Sequence, residues 1–468
     1  MSGVRTGTAQ GGGAVITVSA LAAAFGGFLV MSVVDMVAAM QAARLDGIEQ
    51  LATILFAVGF LLFGIAVYVG GVVTANAVST VIAGRTREIA LLRLLGASGR
   101  ALRGEVVRSG LAQGAIGAAI GLAVSVVLVA GGAEIAMLTG AVKRFEYPIL
   151  SVGLLLPGAA VIVASVIASW SGSRRVLSVA PSQAAGSSAE PRYDELRGRT
   201  SRNILASILL VIGLGLLATG VVVGLLASPL GLILCLFGGM ASFSAIILGA
   251  PVLLPPLISL IGRVFGRGPV ARLAAENAVR NPARSARAVI GLVIGVALVT
   301  TFAVGAATFS TMMGMASRGN PELFQQVQEL VTITTLILSV LIGFSVVLAT
   351  VGMVNTLSLS VLQRRRELGL LRALGFTGTQ VRWMVVIEAA QMVIAASLFG
   401  LVLGVLYGWC GALAAFGGSP GIGMIPPTVP VPVVAAVVGA SILITTIAAV
   451  LPARRATTVS PVEALAVA

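Results

Sequence analysis

Few residues of this chain are of types that carry out chemistry, and they are widely spaced. The 468 residues include no histidine, and Lys143 is the only lysine among 30 basic residues. Histidine-based acid–base catalysis, a Ser-His-Asp triad and histidine metal sites are therefore excluded. Lys143 lies in Ala-Val-Lys-Arg rather than after the glycines of a nucleotide-binding loop, so the chain does not hydrolyse ATP by that route. We predict no catalytic, metal-binding or cofactor-binding residues.

Two cysteines remain as potentially reactive groups. Cys235 and Cys410 both lie in apolar runs, which disfavours a disulfide framework or a cysteine metal site.

Three acids also lie in or beside apolar runs, where ionisable groups are costly and usually functional. Asp35 is expected near the outer end of the first helix, at the membrane interface. For Glu105 and Glu388 the alternatives are a transport site or ion pairs with Arg108 and Arg382, and we favour the ion pairs. No chain of acids suits a proton relay.

The elements that must position these groups are long apolar helices. Hydrophobic residues make up 58% of the chain and charged residues 10%, against roughly 25% charged in soluble domains. A bilayer core of about 30 Å requires about 20 apolar residues as helix. Single crossings fit residues 15–39, 51–84, 109–133, 147–173, 288–317 and 330–363, and two crossings each fit residues 203–262 and 389–453. The sequence predicts ten transmembrane helices.

The net charge of +14 is distributed unevenly over the loops between these helices. With a cytoplasmic N-terminus, 26 of the 30 basic residues fall in cytoplasmic segments, as the positive-inside rule requires. We therefore predict a multi-pass protein of the cell membrane with both termini in the cytoplasm. The basic charge is attributed to the lipid bilayer rather than to nucleic acid.

An internal duplication is the most informative feature. Residues 76–96 and 355–375 match at a constant offset of 279 residues, and the matches include charged residues in register. Each copy predicts a short cytoplasmic helix that ends at Gly96 or Gly375, because glycine favours helix C-termini. In the first copy Leu91, Leu92 and Leu95 are expected on one face, with Arg93 roughly opposite.

Such a segment could lie in the membrane interface or dock onto a cytosolic partner. The positive-inside rule alone explains the arginines, but it does not explain Glu88 and Glu367 or the register kept in two copies. We favour docking.

The sequences Arg-Glu-Ile-Ala-Leu-Leu-Arg-Leu-Leu-Gly at 87–96 and Arg-Glu-Leu-Gly-Leu-Leu-Arg-Ala-Leu-Gly at 366–375 resemble the hallmark of FtsX-like permeases. These are the membrane subunits of the MacB/LolC/FtsX class of ABC transporters (type VII). The resemblance implies an all-α polytopic membrane protein with two parallel four-helix modules joined by a two-helix hairpin. The implied divisions are a first module at 1–182, a cytoplasmic linker at 183–202, connecting helices at 203–262 and a second module at 263–468.

By the same resemblance, the two repeated segments are expected to contact an ABC ATPase, as a homodimer bound by one copy of this chain. ATP and Mg²⁺ are then used by the partner, and this chain is a non-catalytic subunit. The implied ATPase-coupling residues are Arg87, Glu88, Leu92, Arg93 and Gly96 in the first copy, and Arg366, Glu367, Leu371, Arg372 and Gly375 in the second.

The loops that would carry a large extracytoplasmic domain in such permeases hold only about ten residues here, at 41–50 and 317–328. The favoured function is therefore export of a lipid, amphiphile or hydrophobic peptide that meets the membrane helices directly. The alternative is an FtsX-like mechanotransmitting module that regulates a partner without transport. An ATP-independent carrier is disfavoured, since many secondary transporters have inverted repeats and these repeats are parallel.

Overall fold

The computed structural model describes residues 3–42, 63–65, 67–76, 78–79, 86–138, 152–173, 200–226, 230–265, 273, 276, 280, 282–316, 375–418 and 423–458. Within these ranges every regular element is a helix. The chain divides into two compact units, Met1–Ser188 and Ala189–Ala468.

The first unit is built on two helices of 40 residues each. These are α1 (Gly3–Ala42) and α3 (Gly99–Leu138), and neither contains a proline that would interrupt its hydrogen-bond ladder. The short helix α2 (Thr86–Leu94) precedes α3, and α4 (Leu155–Gly172) follows it. A shorter apolar helix, Phe63–Asn76, lies between α1 and α2 in the chain.

The described part of the second unit includes five α-helices of more than 25 residues. Helices α5 (Thr200–Leu225) and α6 (Leu230–Gly262) form a hairpin, and α7 (Pro282–Ala316), α8 (Gly378–Phe416) and α9 (Val431–Thr458) follow.

Among the described residues, seven helices are long and apolar enough to cross a bilayer, namely α1, α3, α4, α5, α6, α7 and α8. Helices satisfy their own backbone polar groups, which is the requirement for a segment surrounded by lipid. The chain is therefore an all-helical polytopic membrane protein, as predicted. Phe63–Asn76 is a shorter apolar helix, and residues Val431–Leu443 of α9 are also apolar. The predicted crossing at 330–363 lies outside the described residues.

In the first unit, glycines bring α3 into backbone contact with α1. A Cβ atom placed on Gly121 would collide with the carbonyl oxygen of Ala20 and lie 2.7 Å from the amide nitrogen of Ala24. A Cβ on Gly117 would lie 2.6 Å from the carbonyl oxygen of Ile16. Small residues drive helix association in membranes by permitting this close approach.

Two further glycines of α3, Gly110 and Gly114, lie against α4. A Cβ on Gly110 would collide with the Ser169 hydroxyl, and one on Gly114 would lie 2.7 Å from the Ser165 Cβ atom. The Ser165 hydroxyl is also 3.1 Å from the Ser19 hydroxyl of α1. Helix α3 therefore packs closely against both α1 and α4 through its glycines.

The second unit repeats this arrangement with α7 and α8. A Cβ on Gly404 would collide with the Thr300 Cβ atom and lie 2.7 Å from the carbonyl oxygen of Ala297. A Cβ on Gly408 would lie 2.5 Å from the carbonyl oxygen of Thr301. Helices α7 and α8 therefore pack backbone against backbone over at least one full turn.

The duplication extends from the charged segments into this packing. Gly400 lies 279 residues after Gly121, the offset of the charged segments. A Cβ on Gly400 would lie 3.0 Å from the carbonyl oxygen of Val293 and 3.1 Å from the amide nitrogen of Ala297. These residues lie 273 positions after Ala20 and Ala24, so equivalent glycines approach the equivalent backbone atoms in both units.

The α5–α6 hairpin packs onto α8 within the second unit. Gly213 of α5 approaches Ser242 of α6 closely, and a Cβ on Gly224 would collide with the backbone of Ala414 in α8. The Ser242 and Tyr407 hydroxyl groups lie 2.9 Å apart and link α6 to α8. The hairpin is thus part of the second unit's packed core.

Both cysteines belong to this core and are free and buried. The Cys235 thiol is 3.6 Å from the carbonyl oxygen of Leu217 and 3.7 Å from that of Cys410. Neither cysteine forms a disulfide.

We expect Gly404→Ala to destabilise the second unit, because its methyl group collides with Thr300. Overpacking of this kind costs about 1–3 kcal/mol. Gly411→Ala is the matched control, since a Cβ there meets nothing within 4 Å on the same helix. Thermal unfolding in detergent should give a lower Tm for Gly404→Ala only, and equal Tm values would contradict the packing.

Candidate functional site

The first repeated segment forms α2, and one side of this helix is buried. Ile89 and Ala90 are buried, and they pack with Val15 of α1 and Val78. Partly buried side chains of α3, including Leu102, complete the cluster. The segment is thus attached to the first unit through its own apolar residues.

The opposite side of α2 exposes an apolar surface. Leu91, Leu94 and Leu95 are 48%, 58% and 85% exposed. At 100° per residue these three leucines cluster on one side, about half a turn from Ile89. We call them the leucine face.

Leu92 departs from the predicted face of α2, because it does not share the exposure of Leu91 and Leu95. Both Leu92 and Arg93 are half-buried, and Arg93 has an interaction partner. The cause is the burial of Ile89 and Ala90, which turns the neighbouring positions inward.

A left-handed glycine ends α2. Gly96 has φ of 96°. Its N–H donates to the carbonyl oxygen of Arg93 at 3.1 Å, and the Ala97 N–H donates to that of Leu92 at 3.0 Å. This is the Schellman pattern of helix termination. Helix α3 begins directly afterwards, and the Ser98 hydroxyl accepts a hydrogen bond from the Ala101 N–H at 3.2 Å.

The second copy has the same turn before α8. Gly375 has φ of 98°. Thr377 lies 279 residues after Ser98 and caps α8, with its hydroxyl accepting from the Gln380 N–H at 3.2 Å. The Gln380 side chain accepts in turn from the Thr377 N–H at 2.9 Å. We call residues 96–98 and 375–377 the glycine turns; each connects a repeated segment rigidly to a long helix.

For four of the ten predicted coupling residues, the structure describes both the backbone and any side chain. Leu92, Arg93 and Gly96 lie together at the end of α2, and Gly375 lies at the second glycine turn. Arg87 and Glu88 lie in the first turn of α2, but their side chains lie outside the described part. Arg366, Glu367, Leu371 and Arg372 lie outside the described residues altogether.

Sequence reasoning did not identify the caps or the full leucine face. The spacing Thr377-x-x-Gln380 is a capping-box pattern and could have revealed the start of α8. No sequence pattern indicated that Leu94 is exposed, because apolar residues lie on every side of this nine-residue helix.

Arg103 connects the start of α3 to the end of α4. Its Nε donates to the Ser173 hydroxyl at 3.3 Å, and its Nη2 donates to the carbonyl oxygen of Trp170 at 3.1 Å. The guanidinium group also lies 4.5 Å from the centre of the Trp170 ring. Since Arg103 lies one turn after the glycine turn, it ties the repeated segment to a second membrane helix.

The three acids differ in their surroundings. Asp35 lies seven residues before the end of α1, and its side chain is buried. Glu388 is buried in α8. Glu105 and Arg108 are both exposed on α3, and no ion pair joins them, so that predicted pair is wrong.

These features define a class of protein: a polytopic membrane protein with a duplicated helical unit, in which a short amphipathic helix turns sharply into a long transmembrane helix. A family model described as "FtsX-like permease C-terminal" matches the chain twice, at residues 60–181 and 339–461. The chain therefore belongs to the FtsX-like permease family. Each match includes one repeated segment and its glycine turn.

Curated relatives agree with this family. The chain is 30% identical over 144 residues to an uncharacterized ABC transporter permease, YknZ, of Bacillus subtilis, which is 31% of this chain and 34% of that protein. It is 27% identical over 144 residues to another uncharacterized ABC transporter permease, of Methanocaldococcus jannaschii, which is 31% of this chain and 36% of that protein.

The macrolide export ATP-binding/permease protein MacB of Shewanella oneidensis is 32% identical over 142 residues, 30% of this chain and 21% of that protein. The chain thus spans about a third or less of each of these three relatives.

We expect Gly96→Ala to destabilise the first glycine turn. The left-handed conformation costs a residue with a Cβ atom about 1–2 kcal/mol. Gly104→Ala, in helical backbone on α3 with nothing within 4 Å of its Cβ, is the control. A Gly96→Ala protein with a Tm as high as that of Gly104→Ala would contradict this role.

We expect Arg103→Lys to lower the Tm as well. A lysine cannot keep both hydrogen bonds and the stacking over Trp170, and loss of such contacts costs about 1 kcal/mol. Arg108→Lys, on the same helix at an exposed position, should leave the Tm unchanged. An equal effect at both positions would show that Arg103 does not tie α3 to α4.

Proposed function

We propose that this chain is the membrane subunit of an ABC transporter, and that it exports a lipid, amphiphile or hydrophobic peptide with energy from a separate ATPase. The observation that carries the proposal is the leucine face of α2 beside a rigid glycine turn. Three adjacent exposed leucines on a helix fixed to the first unit suit a groove on a soluble protein.

The leucine face extends the coupling site that the family resemblance implies. In this proposal Leu91, Leu94 and Leu95 enter the ATPase groove, while Arg87 and Glu88 pair with charges at its rim. Arg93 helps to hold α2 in place from the inner side. The second segment, with Arg366, Glu367, Leu371 and Arg372, engages the other ATPase subunit in the same way.

The membrane arrangement proposed for this function has ten helices. Two parallel four-helix modules, at 1–182 and 263–468, are joined by the 183–202 linker and the 203–262 hairpin. Both termini and both repeated segments lie in the cytoplasm of a cell-membrane protein, as the distribution of arginines favours. One chain then replaces a pair of permease subunits and binds one ATPase dimer.

Energy is proposed to come from Mg-ATP bound to the partner, so this chain acts as a non-catalytic subunit. The names of the relatives support this division: two are ABC transporter permeases, and one is an ATP-binding/permease protein.

Two observations favour export over import, and a membrane-dissolved amphiphile as the substrate. One relative is named as a macrolide exporter. The loops at 41–50 and 317–328 are short, so a cargo dissolved in the membrane would meet the helices themselves.

Association with an ATPase tests the docking assignment. We expect the double variant Leu94→Glu/Leu95→Glu to lose co-purification of the ATPase, because charged groups cannot enter an apolar groove without desolvation cost. Reversing the charges at Glu88 and Glu367 together should have the same effect.

Met424→Glu is the matched control, since Met424 is equally exposed and apolar, at 66%, but follows the far end of α8. Retained association in both the leucine and the charge-reversal variants would refute the docking assignment. If the variants confirm docking but no lipid, amphiphile or hydrophobic peptide stimulates the ATPase in the wild-type complex, a regulatory role without transport would replace export.

A further inference from the structure

A short segment between α8 and α9 binds to two helices of the second unit. Residues 423–430, which we call the strap, have no regular secondary structure and include Pro426, Pro427 and Pro430. Gly423 starts the strap with φ of 61°. Proline restricts φ and provides no N–H, so this segment has few alternative backbone conformations.

Three hydrogen bonds attach the strap. The Trp409 indole N–H of α8 donates to the carbonyl oxygen of Ile425 at 2.7 Å. On α7, the Thr308 hydroxyl accepts from the Thr428 N–H at 3.2 Å, and the Thr311 and Thr428 hydroxyl oxygens lie 3.2 Å apart. The strap therefore bridges α7 and α8.

One apolar side chain completes the attachment. Ile425 is 8% exposed and belongs to the core cluster that includes Leu217 of α5, Cys235 of α6, Met312 of α7 and Leu413 of α8. Four helices thus contribute to the cluster that contains this side chain. By contrast, the adjacent Met424 is 66% exposed. Apart from Ile425, the residues of the strap are exposed or half-buried, which is typical of segments that open locally while the rest of a fold stays intact.

Helix α8 connects the strap to the second glycine turn. It starts at Gly378, directly after that turn, and runs 39 residues to Phe416, a length of about 58 Å at 1.5 Å per residue. Where α8 meets α7, the glycines at 400, 404 and 408 lie close to backbone atoms and to the Cβ atoms of Val296, Thr300 and Val304. Since the strap is bonded to both helices, a shift of α8 against α7 must break its bonds to one of them.

We propose that the strap is a latch that fixes α7 and α8 in the observed arrangement and releases when the partner ATPase moves the other end of α8. Release withdraws Ile425 from the junction of α5, α6, α7 and α8 and opens that end of the second unit. This inference rests on the proposed function for the driving force, but the resting latch is defined by the contacts above.

Cysteine labelling tests the latch directly. Thr308 is fully buried beneath the strap. Thr308→Cys is close in size to the original residue, and its sulfur atom still accepts weakly from the Thr428 N–H. In the chain reconstituted with its ATPase, a membrane-impermeant maleimide should label Thr308→Cys about tenfold more slowly than Met424→Cys, as expected for a site reached only by local opening. Mg-ATP turnover should speed labelling of Thr308→Cys and leave Met424→Cys unchanged. The wild-type chain measures any labelling of Cys235 and Cys410.

A second variant separates the latch from the energy source. Adding Trp409→Phe to Thr308→Cys removes the bond to α8 and should speed labelling without any nucleotide. This measurement needs no ATPase, so it stays informative if the proposed function fails. Equal labelling of Thr308→Cys with and without Trp409→Phe, or rapid labelling of Thr308→Cys at rest, would overturn the latch.

Locking the strap provides the converse test. In Thr311→Cys/Thr428→Cys the two sulfur atoms replace hydroxyl oxygens 3.2 Å apart, and copper phenanthroline should oxidise them to a disulfide. We expect oxidation to stop amphiphile-stimulated ATP hydrolysis by the reconstituted complex, and a reductant to restore it. Full activity in the oxidised protein would show that the strap does not open during turnover and would overturn the proposal.

Discussion

The contact of helix backbones at glycine is the constraint on which this protein depends. Lipid is as apolar as leucine, so helices in a bilayer gain little from hydrophobic burial against one another. They associate where small residues permit many close contacts. Gly117 and Gly121 provide these contacts for α1 and α3, and Gly400 and Gly404 provide them for α7 and α8. The apolar surface that remains, such as the face of α3 with Val127 and Leu128, is exposed.

Rigid turns carry this helix packing into the repeated segments. A left-handed glycine and a hydroxyl cap stand at each junction, so a repeated segment cannot continue straight into the next long helix. In the first unit Arg103 adds a bond to α4 just beyond the turn. A force applied to α2 is therefore passed to α3 and α4 together rather than absorbed by a loose loop.

The parts of the fold that a single physical rule determines were predictable from the sequence. Length and apolarity identified the crossing helices, and the glycines after Leu95 and Leu374 indicated the turns. The face of α2 was not predictable, because Ile89, Leu91, Leu92, Leu94 and Leu95 surround the helix and tertiary contact with Val15 decides which side is buried. Contacts between residues that are distant in sequence, such as Arg103 with Trp170 and the hairpin with α8, produce no local sequence pattern from which they could be predicted.

The hairpin on α8 has a consequence for how the two copies evolve. Identical subunits related by a two-fold axis must carry every change twice, whereas a fused duplication can alter one copy alone. Tyr407 and Cys410 meet the hairpin, while the residues 279 positions earlier are an exposed Leu128 and an open Gly131. Likewise Glu388 and Gln391 are buried, where the first copy has Ser109 and Ala112. The two copies are therefore not equivalent, and the same substitution made in each half has different effects.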